Sequence, residues 1–168
     1  MNMVYLLLYV IAAMIVGFVM VKTYQEKDRM RRYVIVLLAL AMICIVSYSV
    51  NFMTDNYNVM SAATSIMMAA QDFLLVSLFI YTTAFARISN KVTKVMTIAA
   101  FVIAIIDSVV FIANIFNEIA VKYSLVKCDG IYVLGYEGEL WFGIHAVMSM
   151  IITACIIAVL VIKCIHIP

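Results

Sequence analysis

Five long stretches of the chain are almost free of charge, and short polar islands separate them. They run over residues 3–21, 33–53, 59–86, 95–116 and 140–162. A helix of about 20 apolar residues crosses the ~30 Å hydrocarbon layer of a bilayer. The pattern therefore predicts an all-α transmembrane bundle of five spanning helices, one membrane domain over residues 1–168. The first stretch has no basic segment ahead of it and is too long and uniform for a cleaved signal peptide, so it reads as a retained helix. The third stretch organises the rest. Between Val59 and Ala86 its one charged residue is Asp72. Ser61, Ser65 and Ala69 recur every four residues and Asp72 follows three later, which puts them on one helix face. Small residues at that spacing let helices approach closely, and an intramembrane acid normally faces a bundle interior. The other spans are expected to gather about this face.

Composition excludes a soluble domain. The 168 residues are 68% apolar and 12% charged, where soluble chains carry about 25% charged residues. A net charge of +2 is too small to imply a nucleic-acid partner. The basic residues sort by loop instead. Lys22, Lys27, Arg29, Arg31, Arg32, Arg87, Lys91, Lys94 and Lys163 lie in the first and third loops and the tail, with Lys122 and Lys127 alone on the opposite side. The positive-inside rule then places the N-terminus outside and the C-terminus in the cytoplasm of a multi-pass membrane protein. Cys44 and Cys155 fall inside spans, Cys164 at the end of the last, and only Cys128 in a polar loop, so no extramembrane disulfide is implied. Pro168 is the single proline, which leaves the spans without proline kinks.

Residues 117–139 form the one sizeable outer loop. Two β-prone runs, Tyr123 to Val126 and Ile131 to Leu134, flank Asp129-Gly130 and predict a small extracellular β-hairpin between the fourth and fifth helices. An isolated hairpin is marginal in water, so this one should lean on the helices.

The polar residues of the spans are the candidate site. At ~1.5 Å per residue from the nearest basic anchor, Asp72 lies ~22 Å up, Asp107 ~20 Å and Tyr48 ~24 Å, with Asn51, Asn114 and His145 near ~27–30 Å. Ala100, Ala104, Asp107 and Asn114 run along one face of the fourth helix. The expectation is an outward-open polar cavity, with Asn51, Asn114 and His145 at its mouth and Asp72 and Asp107 at its floor. Candidate ligand contacts are Tyr48, Asn51, Asp72, Asp107, Asn114, Trp141 and His145. The competing reading makes the two acids protonated or hydrogen-bonded packing residues, His145 an interfacial residue, and Trp141 and Phe142 aromatic-belt anchors. His145, His166 and the scattered cysteines show no metal-ligand spacing, so no metal is expected. No phosphate loop, zinc-protease helix or nucleophile elbow is present, so neither a cofactor nor catalysis is expected.

The hairpin loop followed by Gly138, Trp141, Phe142, Gly143 and His145, with Asn114-Ile115-Phe116-Asn117 closing the fourth helix, resembles the bacterial N-terminal seven-helix sensor region that precedes histidine kinases and diguanylate cyclases. The resemblance covers essentially the whole chain. It departs in having Met148 and Met150 where the family often has aromatics, in lacking a proline near the fourth helix, and in stopping after five spans. It implies a truncated ligand-sensing input region in a lipid bilayer. It also implies a small ligand from the outer side, a cytoplasmic kinase or cyclase output in cis, and a possible homodimer. Two other readings stand beside it: a small transporter-type or accessory membrane protein using Asp72 and Asp107 as a proton or cation relay, and a structural membrane subunit.

Overall fold

The computed structural model describes residues 3–88, 90–128 and 131–165. Five helices and one hairpin follow in the order α1 (Met3–Gln25), α2 (Arg31–Val50), α3 (Tyr57–Phe85), α4 (Lys91–Asn117), β1 (Val121–Cys128), β2 (Ile131–Gly138) and α5 (Leu140–Ile165). All five helices are long and apolar enough to cross a membrane. Most overrun the apolar stretches that predict them. α1 continues through Lys22, α4 begins at Lys91, and α5 continues through Lys163, because a lysine stem can lie along the helix while its ammonium reaches water. α2 instead ends early, at Val50. Residues 51–53 tighten into a turn in which Asn51, Phe52 and Met53 N–H groups donate to carbonyls three residues back. Asparagines start the next two helices: the Asn56 side chain accepts from the N–H groups of Asn58 and Val59, and Asn90 from Thr93 at 2.8 Å.

α3 is the hub. α2, α4 and α5 all pack against it, and α1 packs on α2 at the edge. The predicted small-residue face is buried along its length, at Ser61, Ser65, Ala69 and Asp72. α4 answers with Ala100, Ala104, Asp107, Ser108, Phe111 and Asn114. The small side chains bring the backbones close enough for Ser108 Oγ to donate to the Ala69 carbonyl at 3.3 Å. The outward faces of all five helices expose Val, Ile, Leu and Phe, as a surface solvated by lipid tails requires.

β1 and β2 pair antiparallel in a register running from Val121↔Gly138 to Cys128↔Ile131. Two residues separate the strands; Asp129 and Gly130, on which the hairpin expectation rests, lie outside the described residues. The hairpin leans on the bundle as expected. Val121, Tyr123 and Leu134 are buried together with Met60, Phe111 and Ala120, whereas Lys122 and Ser124 face out, the period-two alternation of a half-buried strand. Glu118, at φ 49°, ends α4 in the left-handed conformation and turns the chain toward β1. Asn114 fixes that junction. Its Oδ1 accepts from the N–H groups of Ala120 (2.7 Å) and Val121 (3.0 Å), and its Nδ2 donates to the Val121 carbonyl at 2.9 Å. Across the same end, Gly138, paired with Val121, passes over Phe142, where an added Cβ would fall 2.5 Å from Cδ1 of that ring. Any larger residue there would have to displace the ring.

Candidate functional site

Three helices each contribute one ionisable side chain to a single buried point. Asp72 comes from the small-residue face of α3, Asp107 from the facing stripe of α4, and His145 from the first turns of α5. Each is 6% exposed. His145 Nδ1 lies 2.6 Å from Asp107 Oδ2 and 3.2 Å from Asp72 Oδ1. Both neighbours are carboxylate oxygens, so Nδ1 carries the hydrogen and donates, more strongly to Asp107. Trp141, four residues before His145 and so on the same face of α5, donates from Nε1 to Asp107 Oδ1 at 2.7 Å. Both oxygens of Asp107 are thus engaged. Asp72 Oδ2 differs: it is buried with no hydrogen-bond partner among the described residues.

Apolar rings close the site toward the hairpin. Phe111, fully buried, meets the His145 ring edge-on at 4.9 Å, and Phe142 lies 6.1 Å from it. On the other side a cavity of about 10 Å³ is lined by Asp72, Asp107, Ala104, Met148, Ser149 and Ile152, among others. That is room for about one water molecule. In this setting charge must be balanced locally. Two carboxylates and one imidazole reach neutrality when the trio holds two protons beyond its fully deprotonated state, or when a divalent cation replaces them. One ligand atom from each of Asp72, Asp107 and His145 lies within 4.8 Å of the others.

The expected geometry is corrected in several places. The outward-open cavity is a closed cluster. His145 is not at its mouth but at its centre, level with the two acids. Depths counted along separate helices assumed level anchors and ignored tilt and side-chain reach, which together account for a difference of about one to one and a half helical turns. Trp141 is a hydrogen-bond donor to Asp107, a role that a belt position near the start of α5 does not by itself suggest. Asn114 lies above the cluster with its amide spent on the hairpin junction. Asn51 ties the end of α2 to α3 through Nδ2 to Thr64 Oγ1 at 3.1 Å, and its Oδ1 is buried without a partner among the described residues. Tyr48 lies on the α1–α2 side, with its ring 5.2 Å from Tyr9 and 5.6 Å from Phe52. The structure therefore unites Asp72, Asp107, Trp141 and His145 and leaves Tyr48, Asn51 and Asn114 elsewhere.

Sequence reasoning missed Phe111 and Ser149. Phe111 stands four residues after Asp107, a spacing that marks a shared helix face; no local signal points to Ser149. The metal-capable trio escaped as well, because its members come from three helices and no spacing rule links them.

No curated protein and no solved structure matches the chain. A family model described as the N-terminal 7TM region of histidine kinase matches residues 5–168. That span takes in all five helices, the hairpin and the buried cluster, and agrees with the likeness carried by Gly138, Trp141, Phe142, Gly143 and His145. This membrane protein belongs to the family of the N-terminal 7TM region of histidine kinase.

Proposed function

We propose that this chain is the ligand-sensing input region of a bacterial signalling protein, non-catalytic itself, which passes a signal to a cytoplasmic kinase or diguanylate cyclase output. The observation that carries the reading is the Asp72–Asp107–His145 junction. It joins α3, α4 and α5 at one buried point beneath the hairpin. A change of charge or occupancy there alters the attraction holding the three helices, and rigid helices carry the displacement to their opposite ends. The charge asymmetry of the loops supports an N-terminus outside the cell and a cytoplasmic C-terminus. The hairpin then faces outward and the basic loops face the output.

The test has two parts. The reading frame should continue past Pro168 into further helices and a kinase or cyclase domain. In membranes of the full-length protein, Asp107→Asn and His145→Gln should change the output activity, while the exposed Lys122→Gln should not. Output identical in all variants contradicts the proposal. The transporter reading has one observation in its favour, the unpartnered Asp72 Oδ2 beside a water-sized cavity. Proton-coupled flux in vesicles lost in Asp72→Asn would decide for it.

A further inference from the structure

We propose that Asp72, Asp107 and His145 bind a divalent transition-metal cation of the Zn²⁺ type, coordinated by Asp72 and Asp107 carboxylate oxygens and His145 Nδ1. One imidazole nitrogen with two carboxylates suits Zn²⁺ and its neighbours, whereas Mg²⁺ and Ca²⁺ favour all-oxygen shells. Three protein ligands and one water complete the tetrahedral arrangement typical of an accessible zinc site.

The geometry is close to what this needs. Ligand atoms ~2.0–2.1 Å from a tetrahedral ion stand about 3.4 Å from one another. His145 Nδ1 is 3.2 Å from Asp72 Oδ1 and 2.6 Å from Asp107 Oδ2. Opening the tighter pair by less than about 1 Å admits the ion. Two independent features point to a ligand. Asp72 Oδ2 is buried and lacks a partner among the described residues, a costly arrangement for a carboxylate oxygen unless a ligand meets it. The adjoining cavity, lined by Asp72, Asp107 and Ser149, has the volume of the one water that the fourth position would hold. Trp141 Nε1 grips the other oxygen of Asp107, in the way that outer hydrogen bonds orient metal ligands.

Charge closes the account. Two carboxylates, a neutral imidazole and a divalent cation sum to zero. Uptake from the neutral metal-free state, in which the trio holds two extra protons, releases two protons. That Zn²⁺ is also the sensed signal rests on the sensing reading above; the binding site itself does not.

The test is Zn²⁺ titration of the purified chain in detergent, with all four cysteines changed to serine and His166→Ala to remove competing ligands. Expected are one Zn²⁺ per chain, two protons released on binding, a raised thermal midpoint, and no response to Mg²⁺. Cobalt(II) should give the visible absorption of a tetrahedral site. Trp141→Phe, which keeps the ring and removes the N–H, should weaken affinity ~10–100-fold, and Asp72→Asn and His145→Gln should abolish stoichiometric binding. Absence of Zn²⁺ binding by the folded parent chain overturns the site, as does undiminished binding in folded Asp72→Asn. In full-length protein, site-specific binding with unaltered kinase or cyclase output overturns Zn²⁺ as the signal.

Discussion

Replacing Asn114 by alanine should unfasten the hairpin from the bundle. The side chain is fully buried and makes three hydrogen bonds to the backbone of Ala120 and Val121, themselves 0% and 1% exposed. Alanine leaves two N–H groups and one carbonyl without partners. Each orphaned buried group costs ~1–3 kcal/mol, so the sum lies between about 3 and 9 kcal/mol if nothing relaxes. The hairpin packs on the helix ends without joining their backbone ladders, so it can lift and hydrate its own strands. The expected loss is therefore nearer the lower figure and local rather than global. Hydrogen exchange at the Ala120 and Val121 amides measures it directly; about 3 kcal/mol is a ~100-fold faster exchange at 25 °C. Asn114→Asp, which keeps the acceptor and loses the donor, should fall between. Unchanged protection of both amides in Asn114→Ala would refute the reasoning, since it would mean that the junction holds without its clamp.

Two further outcomes follow from the hairpin and the loops. The Glu139 carboxylate paired with Lys122 at 2.5 Å raises the Lys122 pKa above 10.5, and burial raises that of Tyr123 above 10.0. Both groups titrate higher when folded than unfolded, so their contribution is intact below the unfolded values and is lost as pH rises through the folded ones. Proteolytic resistance of the hairpin should hold at neutral pH and fall above about pH 10, with Lys122→Gln insensitive to the Lys122 component. Membrane-impermeant thiol labelling of intact cells should modify Cys128 and spare Cys164; the reverse pattern would invert the topology.

The parts of this molecule that sequence makes legible are those written locally. Apolar runs near the membrane thickness mark the helices, and the Ser61–Ser65–Ala69–Asp72 stripe marks the buried face of α3 because one helix carries all four. Asp129-Gly130 between β-prone runs marks the hairpin. The site is assembled across helices, and there local signals fall short. Asp72 and Asp107 read as neighbours in depth, yet nothing in their own segments shows that His145 stands between them. Asn114 reads as a polar residue near a rim because its partners, the Ala120 and Val121 backbone groups, carry no side-chain signature. Trp141 follows the general habit of tryptophan at a membrane interface, until its spacing of four from His145 is set beside the acid both side chains meet. Tyr48 shares a depth with the site but faces α1, and depth alone does not give direction.

Asp72 and Asp107 act through one shared junction at His145. A double-mutant cycle of Asp72→Leu and Asp107→Leu, read as unfolding free energy in detergent, tests that most directly. After Asp72→Leu, His145 still has Asp107, and after Asp107→Leu it still has Asp72 within 3.2 Å. Only the double change leaves His145 buried without an acid, at about 1–3 kcal/mol, so the double mutant should lose more than the sum, with a coupling of ~0.5–3 kcal/mol. Strict additivity would mean that the two carboxylates do not meet through His145, and would contradict the site described.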